Sequence, residues 1–242
     1  MKLTIIGYWG GYPSSEGATS AYLLEKNGFN LLIDLGSGAL SRLQKYTTIQ
    51  AIDAIILSHY HHDHVADIGV FQYAKRIDFY VTGEAKKVPI YGHLEDEQNF
   101  QSLTDDYTEG VAYHPDEELG IGPFTLTFLQ TEHPVPCYGM RISDGKKTMV
   151  YTADTSYQDA WIPFSSQADL LLADCNFYAD QDGTKAGHMN SHEAARIAKK
   201  ANVKQLILSH LPQYGNRQRL VKEAKEIYGG LVQLAIEGLV WR

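Results

Sequence analysis

The sequence predicts a layered α/β fold, and three observations predict it. Short apolar runs of strand length recur along the chain, amphipathic helical patterns interleave with them, and the first third opens with consecutive strands before the alternation sets in. At 242 residues with 44% hydrophobic content, the chain is long enough for one substantial core and short for two full-sized domains. No Pro-, Gly- or Ser-rich linker marks a boundary, so residues 1–242 are expected to form a single domain.

Taken in order, strands are expected at Leu3 to Tyr8, Ala18 to Glu25, Phe29 to Leu35, Ala54 to Leu57, Asp78 to Val81, Phe124 to Gln130, Tyr138 to Ile142, Thr148 to Ala153, Leu170 to Asp174, Gln205 to Ser209 and Leu231 to Ala235. Helices are expected at Gly38 to Tyr46, Val65 to Arg76, Tyr157 to Ser165 and Arg217 to Tyr228. The clearest helix follows Ser191, whose hydroxyl is the expected cap, and runs His192 to Ala201 with Lys199 and Lys200 near its C-terminal end. Two strand signatures resemble one another, Ile55-Ile56-Leu57-Ser58-His59 and Leu206-Ile207-Leu208-Ser209-His210. If they are corresponding strands of two half-structures, both histidines emerge at the same edge of the packed sheets.

Composition narrows the function classes. A formal charge of −8 argues against a general affinity for nucleic-acid backbone. No eighteen uncharged apolar residues occur together, and Met1 to Gly7 enters a strand directly, so a soluble, cytoplasmic protein without membrane partners is expected. Cys137 and Cys175, the two cysteines, are then expected as reduced thiols.

The chemistry is concentrated in His59-Tyr60-His61-His62-Asp63-His64, an H-x-H-x-D-H pattern after an apolar strand. Imidazole nitrogen and carboxylate oxygen suit zinc and similar divalent metals. Crowded without a metal, these groups would compete for partners. Two further strand ends fit the same logic: His133 follows Phe124 to Gln130, and Asp154 follows Thr148 to Ala153. Taken singly, Asp154 reads as a helix cap and His133 as a loop residue. Beside the cluster, Asp154 would complete a zinc pair by bridging two cations about 3.5–4 Å apart.

In this order, H-x-H-x-D-H, a strand-end His, Asp154-Thr155 and Ser209-His210 resemble the metallo-β-lactamase superfamily, and more closely its ribonuclease Z branch. Gly10-Gly11-Tyr12-Pro13, Leu32-Ile33-Asp34-Leu35-Gly36-Ser37-Gly38 and His188 ahead of Ala194 to Ala198 carry the closer likeness. The resemblance implies a four-layer αββα sandwich with the metal site at one edge of the two packed sheets. It implies two Zn²⁺, with Mn²⁺ or Fe²⁺ as alternatives: His59, His61 and His133 on one, Asp63, His64 and His210 on the other, Asp154 between them. A metal-bridging hydroxide oriented by Asp63 would be the nucleophile, and His188 would contact the phosphate or protonate the leaving oxygen. Homodimerisation is a further expectation at the family level.

The chain departs from ribonuclease Z in lacking the long arm that grips transfer RNA between the strand-end histidine and the bridging aspartate. His133 to Asp154 holds little more than two strands and the turn Ser143-Asp144-Gly145-Lys146. The expected function is therefore a phosphodiesterase acting on RNA ends, oligonucleotides or cyclic nucleotides, with hydrolysis of a lactone, thioester or carboxylic ester as the alternative. Tyr138, Tyr178 and Tyr214 are candidates for base stacking among 16 tyrosines. His62 is not counted as a ligand, His192 is assigned to the solvated or capping side of its helix, and His93 and His114 carry no pattern.

Overall fold

Both halves of the chain build the same kind of sheet, antiparallel on one side and parallel on the other. The computed structural model describes residues 1–83 and 86–242. It divides into two compact units, one made of residues 1–114, 121–123 and 236–242, the other of 115–120 and 124–235. In the first unit the strands are β1 (Lys2–Gly7), β2 (Ala21–Lys26), β3 (Phe29–Ile33), β4 (Ala54–Ile56), β5 (Val88–Gly92), β6 (Thr108–Ala112) and, from the C-terminus, β14 (Val240–Trp241). They lie in the order β14-β1-β2-β3-β4-β5-β6. β1 to β3 pair antiparallel, and β3 to β6 pair parallel.

The second sheet repeats the scheme with β7 (Leu119–Ile121), β8 (Phe124–Gln130), β9 (Tyr138–Ser143), β10 (Thr148–Tyr151), β11 (Leu170–Asp174), β12 (Gln205–Ser209) and β13 (Leu231–Leu234). β8 to β10 are antiparallel and β10 to β13 parallel. Strand chemistry follows the pairing. β8 alternates buried and exposed residues, as a sheet with one solvated face requires, while every residue of β11 is buried, as a covered parallel strand requires. Parallel strands leave their C-terminal ends at one edge, where open α/β sheets build their sites. In the first unit that edge carries Asp34, His59 and His93, and in the second Asp154, Asp174 and His210. The two Ser-His strands, β4 and β12, are each an inner parallel strand of their own sheet.

The helices are α1 (Ala39–Leu43), α2 (His62–Val65), α3 (Ile68–Thr82), α4 (Glu97–Ser102), α5 (Trp161–Phe164), α6 (Ser191–Lys200) and α7 (Gln218–Ile227). In the first unit Ile6, Leu23, Leu32, Ile55, Leu57 and Phe71 belong to one buried cluster that seats α1 and α3 against the sheet. Truncating such a residue to alanine costs about 2–5 kcal/mol.

Two expectations are corrected, and strands β5 and β6 were not foreseen. Asp78 to Val81 is not a strand but the last turns of α3, which stops at Gly83 (φ +74), whose N–H bonds to the Phe79 carbonyl. Aromatic and β-branched side chains there mimic a strand, yet on the helix Phe79 turns to Tyr107, ring centroids 5.6 Å apart, while Tyr80 and Val81 are exposed. Ser191 is not the cap of α6. Asn190 is, accepting the Glu193 N–H while the Glu193 side chain accepts the Asn190 N–H, and Ser191 Oγ instead donates to Glu223 Oε2 at 2.6 Å. Strands β5 and β6 went unforeseen because Pro89 and Gly110 interrupt their patterns.

Candidate metal centre

Buried carboxylates, rather than the histidines themselves, organise both donor sets. In the first unit Asp34, at the end of β3, accepts from Ser58 N (2.8 Å), Ser58 Oγ (2.9 Å) and His64 Nδ1 (2.8 Å). Because the Ser58 hydroxyl proton points to Asp34, Ser58 Oγ is left to accept from His59 Nδ1 at 3.0 Å. Both imidazoles are thus held through Nδ1, which leaves Nε2 as the unprotonated nitrogen a metal needs. His61 lies edge-on to His59, with ring centroids 4.8 Å apart, and His59 and His64 centroids are 4.2 Å apart.

Asp63 sits in the first turn of α2, where a carboxylate is favoured, and Gly11 N–H donates to its Oδ2 at 2.8 Å. Its backbone packs on Gly36, where a Cβ would lie 1.9 Å from the Asp63 carbonyl oxygen, so only glycine fits. His62, by contrast, is exposed.

In the second unit Asp154, Asp174, His188 and His210 bring one candidate ligand atom each to within 4.8 Å of the others. His210 lies between two carboxylates, Nε2 being 3.3 Å from Asp154 Oδ2 and Nδ1 3.5 Å from Asp174 Oδ1. Asp174 also accepts from His188 Nδ1 at 2.9 Å and from Thr155 N at 3.1 Å. His133 donates from Nδ1 to the Gly187 carbonyl (3.1 Å), and its Nε2 lies 4.0 Å from Asp154 Oδ2. Gly187 has φ +76, and a Cβ there would come within 2.6 Å of His133 Nδ1. The loop carrying His188 therefore closes onto His133 only through glycine.

Electrostatics follow this geometry. Burial opposes charge on His188, but Asp174 outweighs it and raises the imidazole above its ordinary pKa. Burial would raise Asp174, yet His188 and His210 hold it below the usual carboxylate value. Cys137 and Cys175 are buried free thiols; Cys137 Sγ donates to the Asp154 carbonyl at 3.5 Å, and burial pushes the Cys175 thiol well up. Backbone strain gathers at the same places. Ala153 (φ +52) and His210 (φ +51) occupy the left-handed region, which costs on the order of 1–3 kcal/mol each and persists where the surroundings impose it.

In each unit the imidazole nitrogens and carboxylate oxygens make a donor set that fits divalent metal, with Nδ1 of His59, His64, His133 and His188 engaged in outer hydrogen bonds. Sequence reasoning did not single out Asp174 and gave Asp34 no role. The available signal was an acid closing an apolar strand, as in Leu170 to Asp174. Tyr138 and Tyr178 offer no stacking face, since both are buried; Tyr214 is 50% exposed. His93 is also buried, its carbonyl accepting from Tyr60 Oη at 2.7 Å. His192 is partly exposed and pairs with Glu226 at 3.1 Å.

Residues 29–211 match the family described as the Beta-lactamase superfamily domain. The chain belongs to the beta-lactamase superfamily. Among superfamily members, the Probable metallo-hydrolase YhfI of Bacillus subtilis (strain 168) is 54% identical over 242 residues, covering 100% of this chain and 99% of that protein. The crystal structure of that metallo-beta-lactamase fold protein superposes with a TM-score of 0.96 over 99% of this chain and 98% of its own, so the fold class is the α/β metallo-β-lactamase fold. A Ribonuclease Z of Methanopyrus kandleri is 26% identical over 281 residues, covering 100% of this chain and 98% of that protein. Human tRNase Z, short form, shares the fold with a TM-score of 0.79 at 22% identity, covering 100% of this chain and 99% of the human one.

Proposed function

We propose that the protein is a metallo-hydrolase of the superfamily that cleaves phosphodiesters, with two zinc ions held by His59, His61, His133, Asp63, His64, His210 and a shared Asp154. Membership in the superfamily and the 54% identity to a probable metallo-hydrolase support hydrolysis. The likeness to a ribonuclease Z supports phosphorus as the reacting centre. The observation that carries the reading is His188, held by Asp174 in the same donor set as His210 and Asp154.

When bound, the metal ions would lower the pKa of water toward about 7 and draw charge off phosphoryl oxygens. The chain's own residues do the rest. Asp63, fixed by the Gly11 N–H, would accept a hydrogen bond from the attacking hydroxide and set its line of approach. Asp174 keeps a proton on His188 Nδ1 and thereby turns Nε2 toward the substrate, where it contacts the phosphate or hands a proton to the leaving oxygen. Such proton transfer accounts for about 10²–10⁴-fold in rate.

The substrate in this reading is small, an RNA end, a short oligonucleotide or a cyclic nucleotide. Between His133 and Asp154 stand only β9, β10 and a turn closed by Asp144 N–H to the Lys147 carbonyl at 3.1 Å. The alignment with the ribonuclease Z spans 281 residues against 242 here, so that relative carries segments this chain lacks. Zinc-loaded protein assayed against bis(p-nitrophenyl) phosphate, cyclic nucleotides, precursor transfer RNA and a lactone panel tests the proposal, with Asp63→Ala as the blank. Turnover of the phosphodiesters is expected; turnover confined to lactones overturns it.

A further inference from the structure

Two segments of the second unit enclose a cavity beside the candidate metal centre. Glu132, His133 and Pro134 line it from the end of β8, and Thr184, Lys185 and Gly187 line it from the loop that carries His188. Both segments are fixed at the main chain. Glu132 N–H donates to Thr155 Oγ1 at 3.3 Å, and its carbonyl accepts from Ser156 N (3.0 Å) and Ser156 Oγ (3.1 Å). The loop turns once through Thr184–Ala186, closed by Gly187 N–H on the Thr184 carbonyl at 3.1 Å, and a Cβ on Gly183 would lie 2.5 Å from the His188 carbonyl oxygen. The segments meet where His133 Nδ1 donates to Gly187, with the His188 ring 5.4 Å from that of His133. The cavity therefore opens next to the place where His188 would meet a phosphate.

The lining says what the cavity suits. No Phe, Tyr or Trp lines it, so it offers no face on which a base could stack. It offers instead a carboxylate, an ammonium group and the hydroxyls of Ser156 and Thr184. Among the described residues Glu132 and Lys185 make no ion pair, with each other or with any other group, although they line the same space. A carboxylate accepts from a hydroxyl and an ammonium group donates to a phosphate oxygen, so a ligand carrying both groups close together satisfies the pair. A ribose joined to a phosphodiester is such a ligand. The cavity holds about 260 Å³, just short of the roughly 300–1,000 Å³ that encloses a whole drug-sized molecule, which leaves room for a sugar and its phosphate with the base outside.

We infer that this cavity seats the ribose of the scissile phosphodiester, Glu132 accepting a hydrogen bond from its 2′-hydroxyl and Lys185 donating to a phosphate oxygen. The inference rests on the phosphodiesterase reading above and adds to it a choice of sugar: ribonucleotides over deoxyribonucleotides, with little regard for the base. Sites built to bind a hydroxyl reject the analogue lacking it by roughly 10⁴–10⁵-fold when they are sealed from water. Glu132 is exposed, so water replaces the lost partner in part, and a discrimination of about 10–100-fold is expected.

The test compares zinc-loaded protein on adenosine 3′,5′-cyclic phosphate and its 2′-deoxy counterpart, on ribo- and deoxyribodinucleotides, and on bis(p-nitrophenyl) phosphate, which has no sugar. On the pair that turns over faster, kcat/KM is expected to favour ribose about 10–100-fold and to change little between adenine and uracil. Glu132→Ala should bring that ratio toward one, and Glu132→Gln, which keeps an acceptor oxygen, should retain part of it. A general loss of fold or metal lowers both substrates together and leaves the ratio where it was. Lys185→Ala should raise KM for both sugars about 10-fold with the ratio kept. The inert Asp63→Ala protein, titrated calorimetrically, should bind the ribonucleotide more tightly by the same factor. Equal rates on both sugars, a preference that survives Glu132→Ala, or turnover of bis(p-nitrophenyl) phosphate without turnover of any nucleotide would each overturn the inference and leave the phosphodiesterase reading standing. A protein silent on bis(p-nitrophenyl) phosphate and on every nucleotide loses both.

Discussion

Asp34 accepts three hydrogen bonds inside the first unit, and through them it holds His64 directly and His59 by way of Ser58. Asp34→Asn preserves volume but leaves a single acceptor oxygen, so that one of the three donors, Ser58 N, Ser58 Oγ or His64 Nδ1, meets an NH2 instead. Zinc affinity, read by competition with a chromogenic chelator, is expected to fall about 10–100-fold with the fold retained. Asp174→Asn is expected to act on rate instead. It removes the acceptor that orients His188, so kcat for bis(p-nitrophenyl) phosphate should drop about 10²-fold or more while KM changes little. An equal loss in KM with kcat intact would show that Asp174 serves binding alone. Both acids close apolar strands and were within reach of sequence reasoning, but their partners are not: Asp34 meets His64 across 30 residues and Asp174 meets His188 across 14.

At the scale of elements, the parallel strands deliver the ligands and short glycine-bearing loops bring them close. The β11–α6 connection bends at Gly187 so that its carbonyl receives His133 Nδ1. Gly187→Ala forces a Cβ into that contact at a positive φ, and thermal unfolding should report a loss of about 1–3 kcal/mol together with weaker metal binding. The Asn190–Glu193 box fixes where α6 begins, three residues past His188. Asn190→Ala is expected to cost about 1 kcal/mol in chemical denaturation. The sequence marked β11 and β12 with their observed bounds, because long buried apolar runs admit few alternatives. It missed the end of α3, because helical spacing and β-branched composition point in opposite directions there.

For the whole molecule, metal binding and folding are linked. Aspartates 63, 154 and 174 are all buried, and a metal bound only by the folded chain stabilises it by mass action. With zinc at about 1,000 times its dissociation constant the gain is about 4 kcal/mol, which for a chain of this size corresponds to about 10 °C in Tm. Stripping the protein with a chelator should lower the calorimetric Tm by that amount, and restoring zinc should recover it; a Tm indifferent to chelation would argue against a resident metal. The sequence by itself marked apolar strands and, Asp174 apart, the histidines and acids at their ends as candidate donors, because residue type and apolar run length are local properties of the chain. Only the tertiary structure decided which carboxylates hold the imidazoles and which face of α3 meets the outside. Hydrogen bonds between residues far apart in sequence leave no periodic trace, and helical spacing defines a stripe without saying whether protein or solvent lies against it.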